Sequence, residues 1–279
     1  MFDIIKETII DTLKILPFLF AAFLIIELIE HKFSKKSLKL IEKAGKLGPL
    51  FGSILGCFPQ CGFSVLATNL YITRIISLGT LISIYLSTSD EMLPILMSQG
   101  SDIKTILNIL TIKLLIGIII GFIIDLLIRK KEHIHVQELC EEEHCHCEKG
   151  IIKSSLIHTM HTILFLILVN FILNIIMHFG GEDYLSNIFK NNNLFTPFIA
   201  SFIGLIPNCA ASVVITELYL NNILSFSSTI AGLLTGSGVA ILVLFKSNKN
   251  IKENIKILLI IYLTGALSGL IIELINFIL

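Results

Sequence analysis

Gly56-Cys57-Phe58-Pro59-Gln60-Cys61-Gly62 and, 148 positions later, Gly204-Leu205-Ile206-Pro207-Asn208-Cys209-Ala210 decide how this chain is built. In each stretch a proline sits at the middle of an apolar block, Gly48–Tyr71 in one case and Phe195–Tyr219 in the other. Proline lacks the backbone N–H and clashes with the preceding turn, so a helix breaks there. Each arm that remains is about 11 residues, or ~16 Å as helix, half of a ~30 Å hydrocarbon core. The two blocks therefore read as helical hairpins with Pro59 and Pro207 at their tips.

The offset holds well beyond the prolines. A shift of 148 carries Ser53, Gly56, Cys61, Ser64, Thr68 and Tyr71 onto Ser201, Gly204, Cys209, Ser212, Thr216 and Tyr219. It also carries Ser77, Ser89, Gly117, Gly121 and Asp125 onto Ser225, Ser237, Gly265, Gly269 and Glu273. At a shift of 147, Thr12, Phe18 and His31 meet Thr159, Phe165 and His178. Apolar helices match Leu and Ile freely, but not Pro, Cys, Gly and acidic residues over such a length. The chain reads as a duplicated unit.

That unit belongs in a bilayer. Of 279 residues 54% are hydrophobic and 15% charged, whereas a soluble domain carries about 25% charged residues. Mean hydropathy is +0.87. Eight apolar blocks are long enough to be helices in lipid, where every backbone group must be bonded internally. Residues 1–128 and 154–279 form the two transmembrane repeats, and 129–153 is a polar loop between them. The alternating pattern of a membrane barrel is absent. The first apolar segment is followed by lysines rather than a small-residue cleavage site, so it is expected to stay in the membrane. Zero net charge gives no basic field for nucleic acid.

Positive charge sets orientation. Lys32 to Lys46, Arg129 to Lys153 and Lys246 to Lys256 are three basic loops that should share the cytoplasmic side. Eight full crossings cannot place them together. If the proline-centred blocks enter and leave by one face, all three loops and Arg74 are cytoplasmic. Each repeat then makes three full crossings plus one re-entrant or broken hairpin, about ten helical segments in all. The odd number of crossings inverts the second repeat and puts both termini outside. Inverted repeats with broken helices at mid-membrane are the architecture of secondary transporters.

Three groups of residues carry chemistry. At the hairpin tips, Gln60, Cys61, Asn208 and Cys209 offer amide oxygen and sulfur beside carbonyls freed by proline, a donor set that replaces a metal's hydration shell. The structural alternative is that Pro and Gly shape the turn while Cys packs. In the third block, Ser89, Asp90 and Glu91 place adjacent carboxylates within an apolar segment, where they cost several kcal/mol unless paired or hydrated. Ser237 stands at the Ser89 position of the second repeat. Asp125, His158, His161 and Glu273 are candidates for a proton or metal relay, weighed against tight Gly-xxx-Gly packing for the two acids. Finally, His133, His135, Cys140, His144, Cys145, His146 and Cys147 crowd the central loop with soft and borderline donors that suit a zinc-like ion. Their spacing matches no zinc-finger module.

The run 56–64, Leu70-Tyr71 and Leu86-Ser87-Thr88-Ser89-Asp90-Glu91 resembles the ten-transmembrane heavy-metal exporters, which are related to arsenic-efflux permeases and whose members are often labelled manganese transporters. The resemblance spans nearly the whole chain and includes a His-rich central loop. It implies a secondary transporter exporting a divalent metal, Mn or Zn-like, through the cytoplasmic membrane of a bacterium. An arsenic or metalloid efflux permease is the alternative. A membrane thiol oxidoreductase using Cys57 and Cys61, or a metal sensor centred on the loop, also stays open. No Walker-type Gly-Lys-Ser/Thr motif occurs, so ATP drive is not expected. The expected partners are the bilayer and metal ions, no nucleic acid, and self-association is left open. No permanently bound cofactor is expected.

Overall fold

The computed structural model describes residues 45–58, 61–89, 92–128 and 195–278, with parts of 9–24 and 152–175. The described residues are helical, with no strand. A 3-10 turn at Gly45–Leu47 leads into α1 (Gly48–Gly56), α2 (Cys61–Ile72), α3 (Leu78–Ser87), α4 (Met92–Ser98) and α5 (Ile103–Leu127). The second set is α6 (Thr196–Gly204), α7 (Cys209–Leu220), α8 (Phe226–Thr235), α9 (Ala240–Ser247) and α10 (Ile251–Ile278). Local chemistry recurs with the bounds. Pro49 and Pro197 open α1 and α6, where the missing N–H is harmless. Ser77 and Ser225 cap α3 and α8 by accepting from Thr80 N and Ser228 N, which satisfies an orphan donor at each start.

The third and seventh apolar blocks, expected as continuous crossings, are interrupted. α3 stops at Ser87 because Thr88 is extended, at φ −53° and ψ 128°. α8 stops at Thr235, and Gly238 then takes φ 56°, a left-handed conformation that glycine adopts without steric cost. Each crossing is thus two half-helices with a non-helical joint. Equivalent turns also match: Arg74 and Asn222 both sit at positive φ, 60° and 56°.

Three apolar stretches, Ile103–Leu127, Phe226–Ser247 and Ile251–Ile278, are long enough to cross a membrane. Buried residues make up 89% of the apolar window in Phe226–Ser247 but 28% in α5 and in α10. The broken crossing is therefore the centre and the long helices are the wall. On α5, Leu115, Ile119 and Ile123 are exposed, and on α10, Leu259, Leu263, Leu267 and Ile271. Four-residue spacing lines them up as lipid-facing stripes. The opposite faces carry Gly117, Gly121, Gly265 and Gly269, where backbones nearly touch. A Cβ on Gly121 would lie 2.8 Å from Gly79 O, and one on Gly269 would lie 2.9 Å from Ser227 O. Small residues let α5 seat on α3 and α10 on α8.

Helices α1, α3 and α5 form one packed unit and α6, α8 and α10 another. Between units the contacts are reciprocal: α2 meets α9 while α7 meets α4, α3 meets α10 while α8 meets α5, and α3 meets α8. Such reciprocity is what a twofold relation produces. A polar clamp also joins the halves. Arg74 donates from both terminal nitrogens to Glu253, at 2.8 and 3.1 Å, and Tyr71 OH donates to the same carboxylate. The Arg74 guanidinium lies over the Tyr71 ring at 5.2 Å.

Candidate functional site

The two joints face each other across the α3–α8 contact, and hydroxyls surround them. Ser64 Oγ on α2 lies 2.9 Å from Thr88 Oγ1 at the first joint. At the second, a Cβ on Gly236 would lie 2.9 Å from Ser212 Oγ on α7. Ser64 and Ser212 are repeat equivalents, as are Thr88 and Gly236. Tyr85, fully buried, bonds Thr68 Oγ1 at 2.5 Å and reaches Ala240 O at 3.5 Å across the halves. Many of these hydroxyls also return to a carbonyl on their own helix: Thr68 donates to Ser64 O and Thr88 to Ile84 O. That lets polar groups sit in a bilayer interior without being orphaned.

Lys113 of α5 enters this centre and is 1% exposed. Its Nζ donates to Thr88 O and, at 2.7 Å, to Leu233 O, so one side chain ties the joints of both halves. It also lies within electrostatic reach of Cys57, just past the end of α1. The equivalent position on α10 is Ile261, fully buried and apolar. In the sequence Lys113 stands twelve positions from Asp125 on the same helix, too far for the two side chains to pair. The partners Thr88 O and Leu233 O are backbone carbonyls, which no side-chain motif announces.

The anticipated residues divide clearly. Asn208 caps α7, its Oδ1 accepting from Ala210 N at 3.2 Å. Cys209 follows it as the first residue of α7, and both are buried. Pro207 is half-buried in the link between α6 and α7. Ser89 is buried at the first joint and donates to Ser87 O at 3.1 Å. Ser237 is fully buried at the second joint, and its hydroxyl has no partner among the described residues. Cys61 opens α2. Pro59, Gln60, Asp90, Glu91, His158, His161 and the loop residues His133, His135, Cys140, His144, Cys145, His146 and Cys147 lie outside the described residues. Among the described residues, no three His, Cys, Asp or Glu come together.

Asp125 and Glu273 are placed away from the joints, at the other ends of α3 and α8. Asp125 accepts from Ser77 Oγ at 2.7 Å and Gly79 N at 2.8 Å. Glu273 accepts from Ser227 Oγ and, at 3.4 Å, from Ser225 Oγ. Carboxylates at helix N-termini satisfy orphan donors and oppose the dipole. Asp125→Ala is expected to lower stability by ~1–2 kcal/mol in detergent melts, while Asp125→Asn, which keeps an acceptor, retains most of it. A relay role predicts instead that Asn fails in transport as badly as Ala.

The family described as "Putative, 10TM heavy-metal exporter" matches residues 1–183 and 171–278. The chain belongs to that family. No curated protein and no solved structure matches it. The exporter is thus an all-α, multi-pass membrane protein, and its function is metal export in the general sense. The polar centre between its joints is the candidate path.

Proposed function

We propose that this exporter is a secondary transporter carrying a divalent heavy-metal ion, Mn or Zn-like, out across the bacterial cytoplasmic membrane. The observation that carries the reading is Ser237, a fully buried hydroxyl with no partner among the described residues at the joint of a broken crossing. A polar group left unsatisfied in lipid is costly, and a passing ligand relieves that cost. Cys209 and Asn208 are the proposed donors at the second hairpin tip, and Gln60, Cys61, Ser89, Asp90 and Glu91 are their proposed counterparts in the first repeat. The central loop is proposed to hold a zinc-like ion through its His and Cys residues, on the cytoplasmic side.

The Arg74–Glu253 clamp supports inverted repeats with re-entrant hairpins. It brings together the turn after the first hairpin and the first turn of the last helix. An even number of crossings must separate two points on one face. The crossings of α3–α4, α5, the Ser155–His178 block and α8–α9 give four only if the second hairpin adds none. This parity favours residues 1–128 and 154–279 as oppositely oriented units, with both termini outside.

A metalloid substrate is the second reading, favoured by Lys113. An ammonium offers no lone pair to a divalent ion, whereas thiols take a soft neutral hydroxide. A sensitised bacterial strain expressing the chain decides between them. Growth should be protected on plates containing one of manganese, zinc, cadmium or arsenite, and Cys209→Ala and Ser237→Ala should cut intracellular clearance of that element about tenfold. Protection against none of the four rejects both readings.

A further inference from the structure

Two half-helices, one from each repeat, end at the same place. Thr88 is the C-terminal cap of α3, and Leu233 lies in the last turn of α8. Carbonyls in a last turn lack intrahelical partners, and each helix C-terminus carries roughly half a negative charge. Two such ends converging in the bilayer interior make a main-chain cation site. In broken-helix transporters it is sites of this chemistry, unwound carbonyls and half-helix ends, that hold small cations.

Here the cation is covalently attached. The Lys113 ammonium donates to Thr88 O and to Leu233 O at 2.7 Å while its stem comes in from α5. It is 1% exposed, so the charge is compensated by these groups and their neighbours rather than by water. We propose that the Lys113 ammonium is a tethered monovalent cation filling a main-chain cation site shared by both halves. Once the side chain is shortened, that site takes a free small cation of the sodium or ammonium class. The inference concerns an ion site distinct from the exported metal, and it stands whichever substrate the centre carries. It also assigns a consequence to wild type: with the site filled from within, the protein is indifferent to which monovalent cation surrounds it.

The test uses thermal unfolding of the purified full chain in detergent, in the chlorides of sodium, ammonium or N-methylglucamine at equal ionic strength. Wild type should melt at one temperature in all three. Lys113→Ala should melt about 5 °C lower or more in N-methylglucamine, and recover most of that in sodium or ammonium, which fit the vacated space. Lys113→Met refills the volume without charge, so it should stay low in every salt. A Lys113→Ala protein that melts equally in all three salts, or that folds in none of them, overturns the proposal. So does equal rescue of Lys113→Met. Because the readout is stability, failure here is distinguishable from failure of the metal-export reading.

Discussion

Gly204→Val is expected to leave little or no folded protein in the membrane. A Cβ at Gly204 would lie 2.1 Å from Gly232 O and 2.2 Å from Thr235 Oγ1. The first obstacle is backbone, so no rotamer relieves it. The seam is already closed by Ser201 Oγ donating to Ala231 O at 3.2 Å and Thr235 Oγ1 donating to Ser201 O at 2.8 Å, and both bonds part if α6 moves off α8. Overpacking usually costs 1–3 kcal/mol. A whole isopropyl group against a rigid wall, with two buried hydroxyl bonds lost, raises this to ~4 kcal/mol or more. Monodisperse yield after detergent extraction is the measurement. Gly45→Ala, where a Cβ meets nothing within 4 Å, should match wild type. Wild-type yield and melting for Gly204→Val would remove the glycine seam from the account of this fold.

The second large effect belongs to Glu253. Its carboxylate takes both Arg74 nitrogens, Tyr71 OH and, at 3.4 Å, Asn248 Nδ2. The Arg74 and Glu253 side chains are 28% and 16% exposed, so the pair is only partly screened by water. Glu253→Ala should therefore cost about 2 kcal/mol, above a surface ion pair and below a fully buried one. A double-mutant cycle with Arg74→Ala should return a coupling of ~1–2 kcal/mol. Arg74→Lys should not restore it, because a single ammonium cannot make two parallel bonds. The turn adds a further distinction. Arg74 sits at φ 60°, so Arg74→Gly should be less damaging than Arg74→Ala by roughly 1 kcal/mol. Full additivity of Arg74→Ala and Glu253→Ala would mean the clamp contributes nothing.

What could be read in the sequence follows from which interactions leave a mark on residue type. Proline leaves one, and the short helices on either side of 57–60 and of 205–208 correspond to the arms expected around Pro59 and Pro207. Glycine leaves one too, as Gly117, Gly121, Gly265 and Gly269 sit where backbones approach. The second break in each unit was harder to see. Ser87-Thr88-Ser89 lies in an apolar run that hydropathy assigns to a continuous helix, and its signal appears only in the partner copy, as Gly236-Ser237-Gly238. Lys113 was least legible. Two of its ligands are the carbonyls of Thr88 and Leu233, and every residue type carries that group. Asp125 and Glu273 carry a mark that residue type alone does not resolve: an acid in lipid suits proton traffic, and here each also accepts from donors at a helix start.

The lone ammonium has a bearing on how the two halves came to share one chain. Lys113 reaches main-chain oxygens of both repeats, and its counterpart is Ile261. Pair two copies of the first half about the same axis and two like charges enter one small space. Pair two copies of the second half and the carbonyls meet only hydrocarbon. A single occupant requires unlike halves. Fusion is then more than convenience, because separate identical subunits have no way to supply one lysine to two sites.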